Sequence, residues 1–93
     1  MKNGLITYSD GSKAWYLNGK RHRVDGPAVK YPNGPELWWF NDFLHRENGP
    51  AIERPDGTKE WYLNGKRYNK ISYYNLMVEL GYMTEEEGFL ELI

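Results

Sequence analysis

Hydrophobic and polar positions alternate in short bursts along this chain. The clearest are Lys13-Ala14-Trp15-Tyr16-Leu17, Glu36-Leu37-Trp38-Trp39-Phe40 and Lys59-Glu60-Trp61-Tyr62-Leu63. Five residues rich in aromatic and branched side chains, closed by a turn signal, predict a β-strand. Successive side chains of a strand point to opposite faces, so Trp15 with Leu17, Trp38 with Phe40 and Trp61 with Leu63 share one face. Two large apolar residues per strand make that face the expected core, with Trp15, Trp38 and Trp61 stacked in equivalent, largely buried environments. Tyr16, Trp39 and Tyr62 form an aromatic column on the other face, beside Ala14, Leu37 and Glu60. The pattern leaves two roles for that column, a second core layer or an exposed contact surface.

The bursts recur every 23 residues, and so do the turns between them. Asp10-Gly11 returns as Asn33-Gly34 and Asp56-Gly57; His22-Arg23 returns as His45-Arg46; Asp25-Gly26-Pro27-Ala28-Val29 returns as Asn48-Gly49-Pro50-Ala51-Ile52. Asn3-Gly4-Leu5-Ile6 is a worn copy of that last segment. A fixed period of this length marks supersecondary units that stack because none can bury its apolar face alone. Asn18-Gly19 and Asn64-Gly65, with Asn41-Asp42 between them, are the two-residue loops of β-hairpins, because these residue types tolerate the positive φ of a type I′ turn. Each repeat therefore holds about three short antiparallel strands, and residues 1–70 form a β-meander.

The third copy breaks off. Tyr68-Asn69 stands where His22-Arg23 and His45-Arg46 stood, and helical spacing follows. Ser72 is placed to cap a helix through Leu80, with Tyr73, Met77 and Leu80 on one stripe, Leu76 beside it and Gly81 as the C-terminal stop. Thr84-Glu85-Glu86-Glu87 reads as a capping box opening a second short helix to Ile93. The expected fold is mainly β, an antiparallel meander of about three stacked hairpin repeats in residues 1–70, closed by a short helical cap in residues 71–93.

Composition narrows the chemistry. With 93 residues this is one domain, and 15 aromatic residues supply its thin core. There is no cysteine, hence no disulfide framework and no thiolate metal site. No apolar run is long enough to span a membrane and no signal-peptide core follows Met1, which points to the cytoplasm. All 12 Lys and Arg lie in residues 1–70 against eight acids, a balance of +4; residues 71–93 carry five Glu and no base, a balance of −5. Such asymmetry suits either an array with an acidic cap or charge steering toward a partner. His22 and His45 fall in one column, yet the third copy has Tyr68 and no third ligand accompanies them, so no metal or cofactor is expected. Asp25 becomes Asn48, which removes a general base from the repeat. The His-Arg pairs are expected to hydrogen-bond the adjacent turn and flank the sheet.

The unit resembles the MORN repeat. Trp15-Tyr16-Leu17-Asn18-Gly19-Lys20 and Trp61-Tyr62-Leu63-Asn64-Gly65-Lys66, with Asp10-Gly11 and Asp56-Gly57, carry the likeness over roughly residues 3–68. It is closer to the variant Trp-Tyr-x-Asn-Gly-x-x-His-Arg-x-Asp-Gly-Pro-Ala form of bacterial and viral proteins than to the eukaryotic form, which has Gly-x-Gly where this chain has Arg23-Val24-Asp25-Gly26-Pro27. The resemblance implies partner binding rather than catalysis, and a phage or viral accessory protein that inhibits a host defence is one setting it suggests. The expected function is a non-enzymatic module that binds and occludes a protein through Tyr16, Trp39 and Tyr62, with Arg23 and Arg46 beside them and Glu85, Glu86 and Glu87 engaging a basic site. Strand addition at an exposed edge would allow a homo-oligomer. The alternative is nucleotide or single-stranded nucleic-acid binding, since Arg21, Arg23, Arg46, Arg54, Lys66 and Arg67 with the aromatic column would make a stacking platform.

Overall fold

A computed structural model describes residues 1–93. Ten short strands run in chain order: β1 (Gly4–Thr7), β2 (Lys13–Leu17), β3 (Lys20–Arg21), β4 (Val29–Lys30), β5 (Glu36–Leu37), β6 (Trp39–Phe40), β7 (Phe43–Leu44), β8 (Ile52–Glu53), β9 (Lys59–Leu63) and β10 (Lys66–Tyr68). Helices α1 (Lys70–Glu79) and α2 (Glu85–Leu92) follow. All pairing is antiparallel. The long ladder runs β1-β2-β4-β5-β8-β9-β10, with β3 on β2 and β6-β7 as a separate hairpin. The fold is thus mainly β with a C-terminal pair of helices, as the repeat pattern predicts.

Each tryptophan strand divides its pairing. The first half of β2 pairs with β4 through Lys13↔Lys30 and Ala14↔Val29, and the second half pairs with β3 through Tyr16↔Arg21 and Leu17↔Lys20. Trp15 is the pivot. Its N–H donates to Ala28 C=O at 2.7 Å and its C=O accepts from His22 N–H at 3.0 Å. Trp38 repeats both bonds with Ala51 and His45, at 2.7 and 3.0 Å. At Trp38 the ladder breaks, so the expected single strand from Glu36 to Phe40 is two strands, β5 and β6.

The Asn-Gly turns have the backbone their sequence requires, with φ of 52° and 79° at Asn18-Gly19 and 49° and 81° at Asn64-Gly65. Asp42 adopts φ 66° without being glycine. Its carboxylate accepts from both the backbone N–H and the Nε of Arg21, each at 2.9 Å, which offsets the strain of that conformation. Successive hairpins are joined at these tips. Asp42 N–H donates to Arg21 C=O at 2.9 Å and Gly65 N–H to Leu44 C=O at 2.8 Å.

Burial departs from the expected core face. Leu17 and Phe40 are 44% and 39% exposed, Trp15, Trp38 and Trp61 are half-buried, and only Leu63 of that set is buried. The reason is architectural: one sheet has no second layer above it, so strand alternation alone buries nothing. What is buried along the array is small, namely Ala14, Ala28, Val29, Ala51 and Ile52.

The larger core lies under the helices. Leu63, Tyr73, Tyr74 and Met77 form it, with Trp61, Tyr68, Leu76, Met83 and Leu92 packed against them. The first helix starts at Lys70, one turn earlier than a Ser72 cap allows, because the Asn69 side chain accepts from Ser72 N–H at 2.8 Å. Its buried stripe is Tyr73, Tyr74 and Met77, and Leu80 is 56% exposed instead of buried. Gly81 takes φ 84° and ends the helix, and Thr84 and Glu87 form the capping box, Thr84 Oγ1 accepting from Glu87 N–H at 3.1 Å and Glu87 Oε1 from Thr84 N–H at 2.9 Å. Gly88 lets α2 pack closely on α1, since a Cβ there would stand 2.5 Å from Val78 Cγ2. No helix is long and apolar enough to cross a membrane.

Candidate functional site

The two faces of the sheet carry different machinery. Cross-strand register places Ile6, Ala14, Val29, Leu37, Ile52 and Glu60 in one row. Tyr16, Trp39 and Tyr62 lie two residues further along the same face, opposite Arg21, Leu44 and Arg67. Helix α1 packs instead on the opposite face, where Tyr74 meets Trp61 edge-on at 6.1 Å. The aromatic column is therefore half-buried only by its own neighbours. Its cations are Arg21, stacked 3.6 Å over the Trp39 ring, and Lys2, 4.9 Å over the Tyr16 ring. Arg21 and Arg67, which the nucleic-acid alternative grouped with the column, do lie on this face, because a two-residue turn at Asn18-Gly19 or Asn64-Gly65 fixes Tyr16↔Arg21 and Tyr62↔Arg67.

Arg23 and Arg46 sit on the other face, so they do not form one surface with the column. The Arg23 guanidinium lies 4.0 Å over Trp15 and its Nη1 donates to Pro27 C=O at 3.2 Å. Arg46 lies 3.9 Å over Trp38, and its Nη1 donates to Pro50 C=O at 3.1 Å and pairs with Glu53 at 2.9 Å. The repeated glycine of Asp25-Gly26-Pro27 and Asn48-Gly49-Pro50 now has a reason. A Cβ at Gly26 would stand 2.7 Å from Arg23 Cζ, and one at Gly49 would stand 2.8 Å from Arg46 Cζ. These arginines are clamps that hold each turn onto its tryptophan.

The histidines also act structurally. His22 Nδ1 accepts from Asn41 N–H at 3.2 Å and His45 Nδ1 from Asn64 N–H at 2.9 Å, each tying one repeat to the hairpin turn of the next. Asn3 Oδ1 does the same for Asn18 N–H at 2.8 Å. Phe40 lies between the two imidazoles, 4.3 Å from His22 and 5.8 Å from His45. The third copy needs no such acceptor because α1 replaces it. Tyr73 hydroxyl donates to Arg46 C=O and accepts from Gly49 N–H at 3.2 Å, while Trp61 Nε1 donates to Tyr74 hydroxyl at 3.2 Å. Trp61 is thus covered by a tyrosine where Trp15 and Trp38 are covered by arginine.

The titratable groups of the aromatic face serve its geometry. Arg21 bonding holds the Asp42 carboxyl below its ordinary value. Arg54 bonding does the same for Glu60, which also accepts from Tyr62 hydroxyl at 2.9 Å. The Tyr16 phenol is raised by its hydrogen bond with Tyr8, 3.1 Å away, and that of Tyr62 by loss of solvent. No group of three or more His, Cys, Asp or Glu side chains converges on a metal-sized site. Glu85, Glu86 and Glu87 lie exposed on the first turn of α2, at the helical end of the molecule, and Glu87 is committed to the capping box.

One open cleft stands out on the aromatic face. It measures about 440 Å³ and is lined by Tyr8, Tyr16 and Tyr31 around a floor of Ala14 and Val29, with Arg21 at its side. The 23-residue register explains it: Ala14 occupies the place that Leu37 and Glu60 fill in the later repeats. No family model, curated protein or solved structure matches the chain.

Proposed function

We propose that this chain is a non-enzymatic interaction module, a MORN-like array whose aromatic face covers a surface of a partner protein in the cytoplasm. The observation that carries this reading is the uncovered column Tyr16-Trp39-Tyr62. The cap packs on the opposite face at the far end of the array, over Trp61 and Leu63, and leaves these aromatics half-wet. Tyr and Trp dominate binding hot spots because they bury large rigid area at small entropic cost. The polar groups around them are already hydrogen-bonded, which supports contact rather than proton transfer. In the phage or viral setting that the MORN-like resemblance suggests, the partner would be a component of a host defence system. Nucleotide or single-strand binding is the second reading, favoured by the Arg21–Trp39 stack, but Asp42 neutralises Arg21 and Glu60 neutralises Arg54 and faces Arg67.

Affinity capture from host extract tests the first reading when wild type and Trp39→Ala are compared. A protein retained by the wild type and lost from a folded Trp39→Ala supports it. Equal retention by both overturns it. A labelled single-stranded oligonucleotide at low and high salt tests the second: tight, salt-sensitive binding without protein capture would promote it.

A further inference from the structure

The chain carries two complementary exposed surfaces that cannot meet within one molecule. The first is the cleft of Tyr8, Tyr16 and Tyr31 over Ala14, with Lys2 over the Tyr16 ring, Lys13 and Asp10 at its rim, and Arg21 already paired with Asp42. The second is the outward stripe of α2. Gly88 and Leu92 face α1, so Glu86, Phe89 and Leu90, spaced i, i+3 and i+4, face away from it, and Ile93 follows at the C-cap. Phe89, Leu90 and Ile93 are 60%, 58% and 81% exposed. That is the anchor spacing of a helix that lays its apolar side into a groove.

We propose that the cleft is a docking site for the α2 stripe of a second copy of this chain. Charge supports the pairing: residues 1–70 balance at +4 and residues 71–93 at −5, Lys13 lines the cleft, and Glu86 sits in the stripe with Glu85 beside it. Volume supports it too, since Leu37 fills the equivalent place in the next repeat and a leucine or phenylalanine from outside would fill it here. The tail cannot reach its own cleft. The cleft lies on β1, β2 and β4, whereas α2 packs on α1 and α1 on β9, at the other end of a molecule 42 Å long. The contact is therefore between unlike patches of two copies, which propagates or closes into a ring rather than stopping at a symmetric dimer. It extends the partner reading to self-recognition on the same face, and either can fail without the other.

Sedimentation of the full chain from about 1 µM to about 1 mM covers the range of weak surface contacts. The expected result is concentration-dependent association that weakens with salt. Leu90→Lys removes the stripe at an exposed helical position, and Ala14→Leu fills the cleft with the residue the second repeat already carries. Each should weaken association by about tenfold or more, as loss of a central contact does, with the melt preserved. Mixing the two variants is decisive. One keeps a working cleft and the other a working tail, so the mixture should form a 1:1 complex that grows no further, while neither associates alone. A wild type that stays monomeric across the range overturns the proposal and leaves capture of a foreign partner untouched. Association insensitive to both substitutions also overturns it.

Discussion

Replacing Gly26 with alanine tests the arginine clamp through a change of sign. Gly26 does not need positive φ, so alanine fits its backbone. In such places Gly→Ala stabilises by about 0.4–1 kcal/mol through the unfolded chain. Here the new Cβ would meet Arg23 Cζ at 2.7 Å, and the guanidinium must leave Trp15 and Pro27. A half-exposed cation–π contact contributes about 0.5–2 kcal/mol and a charge-assisted hydrogen bond to a carbonyl about 1.5 kcal/mol. The Asp25 ion pair adds little, because that carboxylate is 88% exposed. The net expected loss is about 1–3 kcal/mol, or roughly 4–24 °C in Tm for a domain of this size. In an Arg23→Ala background the obstruction is gone, so Gly26→Ala should become neutral or stabilising. Thermal or urea melts of the four proteins give the coupling energy directly. Equal effects of Gly26→Ala in both backgrounds would refute the clamp and leave the repeated glycine unexplained.

Three other outcomes follow from the same geometry. Tyr73→Phe should cost about 1–3 kcal/mol in a urea melt, because Arg46 C=O and Gly49 N–H lose their shared hydroxyl in a buried place. Stability should hold through neutral pH and fall below about pH 4, since Asp10, Asp42, Asp56, Glu60 and Glu87 all have carboxyls held below their ordinary values, and groups of that sign stabilise above the unfolded value and lose it as acid is added; Asp42→Asn should flatten that acid slope. Deleting residues 70–93 uncovers Leu63 and Trp61, and light scattering should show association or loss of fold, whereas an equally stable monomer would mean the helices are not a cap.

The sequence carried what depends on local backbone. Asn18-Gly19 and Asn64-Gly65 announce their turns because few residues accept both positive φ values, and Gly81 and Thr84-Glu87 announce helix ends for equally local reasons. What it did not carry depends on which element covers which. Strand alternation separates Trp15 from Tyr16 but cannot say that the helices reach only Trp61, so the expected burial of Trp15 and Trp38 gave way to stacking under Arg23 and Arg46. His22 and His45 read as turn partners, but their bonds reach a turn one repeat away, a distance set only by how hairpins stack. Asn69 displaced Ser72 as the cap because both are competent caps and the end of β10 decides between them. The cleft over Ala14 was legible in principle, since the repeat register exposes one alanine among larger residues, but only the paired strands show that Tyr8, Tyr16 and Tyr31 surround it.

The proposed function stands or falls with the uncovered aromatic face as the binding face. The most direct measurement is the affinity of the captured partner for two single variants, Trp39→Ala on that face and Leu17→Ala on the opposite one, each verified as folded by its melt. Leu17 is 44% exposed, so its truncation perturbs the sheet little. The account expects Trp39→Ala to weaken binding by about thirtyfold or more, the mark of a central hot spot, and Leu17→Ala to leave it unchanged. Undiminished binding by a folded Trp39→Ala, or loss of binding by Leu17→Ala alone, would place the interface on the tryptophan–arginine side and contradict the account.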